Sequence, residues 1–226
     1  PAPQADASHP ADDKKSGNLF WRDNNRLAQG YATEHTAYTD GEHISNTLQN
    51  LGTDDRRSYN SCIFDFVNYN EPARVLEGGE ATNVEIIHSI GYKTKMDYDA
   101  ASGKYLMSMY GSNGYTPTKD ENNGKQLAFD NVLVLFTDIH TYPGHEAKDL
   151  QYAAYGDGGV GYYYNGGRYE KIRWLKGGDL DVLRIVSGDG TETPVQLNCG
   201  TSYVTVVDID EAINFQAPDA QTSSAE

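Results

Sequence analysis

From about residue 61 the chain falls into a two-residue rhythm. Tyr92, Thr94, Met96 and Tyr98 interleave with Lys93, Lys95 and Asp97, the pattern of a strand with one buried and one wet face. Val84-Glu85-Ile86 opens the strand before it. After a turn at Ala101-Ser102-Gly103, the alternation resumes at Tyr105, Met107 and Met109 and predicts a hairpin. Val132 to Phe136 is the longest apolar run, so Asn131–Thr137 reads as the most buried strand. Cys62 to Val67 is a second, nearly continuous apolar run. Tyr152–Tyr155 and Gly161–Tyr164 follow, and Asn165-Gly166-Gly167 turns the chain into Tyr169–Leu175. Leu180–Val186 and Thr193–Leu197 flank Ser187-Gly188-Asp189-Gly190 as a third hairpin, and Ser202–Val207 closes the set. Strands at this spacing predict an antiparallel, meandering sheet, with no internal repeat of fixed period.

The front of the chain is different. Residues 18–38 are dense in Arg, Asp, Asn and aromatics without a clean period, and read as a structured loop. Asp40 is a plausible N-cap for a short helix carrying Ile44, Leu48 and Leu51, with Gly52 as its stop. The fold class expected is α+β. A disordered lead-in occupies 1–17, a mixed α/β part 18–78, a β-rich domain 79–212 and a disordered tail 213–226.

Composition sharpens this. Seventeen Tyr and 23 Gly against 3 Met favour many short strands and tight turns. With 38% hydrophobic residues and mean hydropathy -0.67, no stretch approaches a membrane span. The chain starts without Met or a leader pattern, so it is expected to be a trimmed form whose export signal or lipid anchor is out of view. Net charge is -15, which repels phosphate backbones and anionic lipid, so no nucleic acid is expected as a partner. Cys62 and Cys199 either pair, stabilising by roughly 4 kcal/mol, or stay free, and neither sits in a metal or redox spacing.

Candidate chemistry is thin. Gly156-Asp157-Gly158-Gly159-Val160-Gly161 fits a GxGxxG string, but strand and turn follow it where a phosphate site needs a helix, so it reads as a glycine-rich β connection. His140 and His145 lie near Asp138 and Glu146 in no zinc-type spacing, and Asp208-Ile209-Asp210-Glu211 and Asp120 to Gly124 match no EF-hand loop. No metal or other cofactor is expected. Glu34-His35, with Asp23 in the crowded loop before it, offers a His and carboxylates for acid–base chemistry. Tyr152, Tyr155, Tyr162, Tyr163, Tyr164, Tyr169 and Trp174 read either as core or as a stacking surface for sugar.

Several phrases carry a resemblance. Phe20-Trp21-Arg22-Asp23 with Arg26, then Glu34-His35-Thr36-Ala37-Tyr38-Thr39, come first. Ile86 to Tyr98, Tyr105, Asp120, Gly124 and Phe129-Asp130-Asn131-Val132 follow. Gly156 to Gly166, Trp174-Leu175-Lys176 and Asn198-Cys199-Gly200-Thr201 complete the order. Between residues 19 and 210 the chain thus resembles the YerB-like family of bacterial envelope lipoproteins, a domain of unknown function. The resemblance implies an α/β front domain, a β-rich back domain and an extracellular place, anchored at the cell envelope in the full-length form. The family's long segment before the FWRD phrase is not matched here, so the resemblance implies a first domain that is either incomplete or completed by a complementing N-terminal segment. Met107 and Thr118 stand near the places of a family basic residue and His, and Ala28 to Thr33 intrudes before Glu34.

The leading expectation is a binding or scaffold module for a cell-wall glycan, a peptide or an envelope protein. Its binding residues would be Trp21, Arg22, Arg26, Tyr38, Asp120 and Trp174, and it would meet the membrane solely through an anchor outside this chain. The alternative is a hydrolase of envelope material using His35 with Glu34 or Asp23. A calcium-stabilised structural module is the third reading.

Overall fold

The computed structural model describes residues 19–52, 64–141, 143–144, 150–152, 156, 158–178 and 181–213. The chain divides into two compact units, Pro1–Asn60 and Ser61–Glu226. The expected lead-in 1–17 and all but the first residue of the expected tail 213–226 lie outside the described residues, as do Cys62, His145 and Glu146; Ile213 itself ends a 3₁₀ turn.

In the first unit, β1 (Trp21–Arg22) pairs antiparallel with β2 (Ala37–Tyr38). Between them lie α1 (Asn24–Ala28) and a 3₁₀ turn, Thr33–Thr36. Residues 19–38, expected as loop, are thus a small strand–helix–turn–strand unit. α2 (Gly41–Leu51) follows, with Asp40 as N-cap accepting from His43 N at 2.9 Å and Gly52 closing it at φ 63°. Both signals had been legible in the sequence.

The second unit begins with β3 (Asp65–Phe66). A four-strand meander follows: β4 (Asn83–Ser89), β5 (Tyr92–Asp99), β6 (Lys104–Gly111) and β7 (Gly114–Pro117), with β8 (Ala128–Phe129) also against β6. β9 (Asn131–Thr137) comes next, then the β10 (Ile139–Thr141) and β11 (Leu150–Tyr152) ribbon. β12 (Gly159–Asn165), β13 (Arg168–Leu175), β14 (Arg184–Ser187), β15 (Gln196–Leu197) and β16 (Ser202–Asp208) complete it. The β12–β13 turn is Gly166-Gly167, both at positive φ (61° and 75°), as a two-residue primed turn requires.

The second five-stranded sheet runs β14-β13-β12-β9-β16. It departs from a pure antiparallel meander in one pairing. β16 lies parallel to β9 along its whole length, and β15 is likewise parallel to β3. Parallel neighbours need a long crossover, and here the chain between β9 and β16 builds three other strands of the same sheet first. The expected third hairpin is correspondingly loose. Val186 bridges Pro194, but β15 turns away to β3.

β9 is buried at all seven positions because both its faces are covered. Val132, Val134 and Phe136 pack with Ile86, Met96, Tyr105, Tyr164 and Tyr169 between the two large sheets. Leu133 and Leu135 face the other way, with Leu76, Tyr163, Ile172, Trp174, Ile185 and Leu197. Leu76 packs in the core of the β-rich unit, whose compact body begins at Ser61. The glycine-rich string is a β connection: Gly158 sits at φ 72° with its backbone against the main chain of Trp174, where any side chain would collide.

Candidate functional site

In the first unit the strand pairing places Trp21 directly opposite Tyr38, so their rings project from one face. Asp23 caps α1, accepting from the Asn25 and Arg26 amides at 2.8 and 3.3 Å. That cap sets the first turn and with it Arg26, whose guanidinium lies 5.4 Å from the Tyr38 ring and 5.8 Å from the Tyr31 ring. At the other end, the His43 ring packs 4.5 Å from Trp21. His43 is held by Asp40, Nδ1 to Oδ1 at 2.8 Å, and backbone and side-chain hydrogen bonds from His43 lower the Asp40 pKa below its ordinary 3.8. The result is a continuous row, Tyr31–Arg26–Tyr38–Trp21–His43. It is open to solvent at Trp21 and Tyr31, 40% and 51% exposed, while Arg26, Tyr38 and His43 are half-buried.

The other expected site residues are placed as follows. Arg22 donates through Nη1 to Thr33 O, bracing the 3₁₀ turn. Glu34 and His35 sit exposed on that turn. The Asp23 carboxylate points into α1 instead, and among the described residues no hydrogen bond joins the side chains of Asp23, Glu34 and His35. Asp120, in the second unit, closes its own loop by accepting from the Asn122 and Asn123 amides. Trp174, expected on a binding surface, is 4% exposed and donates from Nε1 to Phe136 O at 2.8 Å. A ring so covered stacks on no ligand, so it belongs to the core. Tyr163, Tyr164 and Tyr169 share that fate.

Two phrases of the resemblance meet inside the second unit. Tyr163 OH donates to Asn131 Oδ1 at 2.8 Å and accepts from Asn198 N at 2.9 Å. Asn131 Nδ2 donates to Asn198 O at 2.8 Å, and Asn198 Nδ2 to Arg74 O and Asn165 Oδ1. Burial pushes the Tyr163 hydroxyl up to about 12. It is a neutral structural donor at any physiological pH. Asp130, beside Asn131, accepts from Lys104 Nζ at 2.6 Å and from Thr201 N at 2.8 Å. Burial raises its pKa, but those two bonds outweigh it and hold the carboxyl below its ordinary 3.8. These side chains pin the Asn198–Thr201 loop to the sheet, which is a packing role. Cys199 in that loop is a free thiol whose Sγ lies 3.1 Å from Val67 O.

Next to this network is a groove of about 270 Å³ lined by Arg74, Glu170, Lys171, Ser187, Thr193 and Gln196 among others. Arg74 grips Glu170 with both terminal nitrogens and donates from Nε to Gln196 O at 2.5 Å. The Glu170 hydrogen bonds raise the Arg74 pKa against the opposing effect of burial. The groove's central cation is therefore already spent within the fold. Among the described residues no group of three or more His, Cys, Asp or Glu side chains is placed to hold a metal, and His140 Nδ1 lies 3.2 Å from Asp138.

Sequence reasoning found Trp21, Arg26 and Tyr38 of the row but missed Tyr31 and His43. It also missed Arg74 and Glu170, 96 positions apart, a distance that no local pattern spans.

The molecule is thus a β-rich α+β protein whose front unit sets Trp21, Tyr31 and Tyr38 beside Arg26 and His43. Residues 83–204 match the family described as protein of unknown function (DUF3048), C-terminal domain, and the chain belongs to that family. The fold is similar to the crystal structure of YerB protein from Bacillus subtilis, with TM-score 0.63 at 16% identity over 90% of this chain. This chain spans 64% of that one. The likeness that the ordered phrases implied is therefore shown, and it concerns the fold. No curated protein matches.

Proposed function

We propose that this chain is a non-enzymatic binding module of the bacterial cell envelope, carried outside the cytoplasm, and that its ligand is a cell-wall glycan. The observation that carries the reading is the partly exposed row Tyr31–Arg26–Tyr38–Trp21–His43. Tyr, Trp and Arg are the residues that concentrate binding energy at recognition surfaces. Flat rings offer an apolar face to the C–H face of a sugar, while polar groups beside them meet its hydroxyls. Asp40, bonded to His43, supplies such a group beside the row. The net charge of -15 disfavours a nucleic acid as the stacked ligand.

The chain's two tryptophans make the test direct, since Trp21 is exposed and Trp174 buried. Soluble, purified peptidoglycan fragments are titrated into the protein while tryptophan emission is followed. A saturable change is expected, and Trp21→Ala should abolish it while the Trp174 signal stays. Saturation by stripped peptide stems alone would reassign the ligand to peptide. Unaltered emission, together with no retention on intact peptidoglycan, would end the glycan reading.

A further inference from the structure

A strand at the edge of a sheet presents unpaired N–H and C=O groups, and folds blunt such edges with proline, bulges or brevity. Three of the four outer strands of the large sheets are blunted here. β4 changes register between Ile87 and Ser89. β7 has four residues and ends in Pro117. β14 has four residues and is crossed by the returning chain, where Val186 bridges Pro194 and Ser187 N donates to Thr193 O. β16 has none of these devices. It is seven residues of Ser-Tyr-Val-Thr-Val-Val-Asp, paired to β9 without a register shift on its inner side and with no strand beyond it among the described residues.

Its faces are equally telling. Val207 is buried and Tyr203 packs on the core between the sheets. Val204 and Val206 point to the opposite face, in register with buried Leu133 and Leu135, yet they are 39% and 43% exposed. The cover over Leu133 and Leu135 therefore stops one strand short. The C-terminal end of β16 is acidic: Asp208 and Asp210 stand there, Asp138 follows the adjacent end of β9, and residues 202–213 contain no Lys or Arg.

We infer that the outer edge of β16 docks an extended peptide segment of another protein, antiparallel to β16, with apolar residues at alternate positions and positive charge at its N-terminal end. Main-chain bonds to the edge supply affinity, and alternate side chains covering Val204 and Val206 supply register. Antiparallel pairing sets the peptide's N-terminal end beside Asp208 and Asp210. A second copy of this chain fits poorly, because each carries a net charge of -15.

The probe is a synthetic peptide, Lys-Lys-Val-Thr-Val-Thr-Val, labelled at its C-terminus and titrated against the whole 226-residue chain. Exchange of the 202–208 amides that point away from β9 should slow by about tenfold or more at saturation. The double variant V204K/V206K should weaken binding at least about tenfold, with its urea midpoint kept. A Glu-Glu version of the peptide should bind more weakly. Exchange of those outward amides that is already slow without peptide, or unchanged with it, overturns the inference. So does equal binding by V204K/V206K, or a dimer that V204K/V206K dissociates, which would make a second copy the occupant. Should V204K/V206K not fold, exchange in the unaltered chain decides alone.

Discussion

The two units use the same residue types in opposite ways. Among the described residues of the front unit, Thr36 and Thr47 are the buried ones, while Trp21, Tyr31, Ile44 and Leu51 stay exposed. In the β-rich unit Tyr105, Tyr163, Tyr164, Tyr169 and Trp174 are swallowed by two cores. Aromatic content therefore says little about a binding face until strand pairing assigns each ring a side. The contrast extends to how each unit holds together. The front unit relies on helix caps and cation–ring contacts, each worth about 1 kcal/mol, and the back unit on buried area and a closed polar network.

The contrast is broken most severely at Trp174. Replacing it with Ala should cost about 3–5 kcal/mol, read as a large fall in the urea midpoint of the β-rich unit. Asn198→Ala comes next. It strips side-chain partners from Arg74 and Asn165 while leaving the backbone bond to Tyr163, and each buried group left unsatisfied costs about 1–3 kcal/mol. Tyr163→Phe should couple to it, so a double-mutant cycle that is additive would remove the network argument. Asp40→Ala should cost about 1 kcal/mol, with the loss confined to amide exchange in 41–51. A fall in the melting temperature of the β-rich unit would overturn that expectation.

The smallest effect concerns pH. His88 stacks on Tyr92, its Nε2 is buried without a partner, and burial lowers its pKa below the ordinary 6.5. The unfolded chain then takes up this proton first on acidification. Stability is full above pH 6.5 and is lost as pH falls from there through the lower folded value. His88→Gln should flatten that part of the pH–stability profile, and an unchanged slope would assign it elsewhere.

Much of this architecture was legible because its signals are local. Asp40 and Gly52 bound their helix, Gly166-Gly167 turn their hairpin, and the unbroken apolar run of 132–136 announces a strand covered on both faces. The parallel placement of β16 beside β9 was not legible, since period-two alternation reports which face is buried and not which neighbour is paired. The front row was half legible. Trp21, Arg26 and Tyr38 stand in the phrases that carry the resemblance, but Tyr31 and His43 join them through a turn and a cap that bring distant backbone together.

The parallel pairing has a temporal consequence. Asn131 and Ser202 are 71 positions apart, so during synthesis β9 emerges long before the strand that will flank it. Until β16 arrives, one side of the most apolar ribbon in the chain stands bare, and ordering it depends on non-local closure that is slow compared with hairpin formation. A nascent chain halted before residue 202 should therefore be sticky and aggregation-prone, and final ordering should await the release of the last strand.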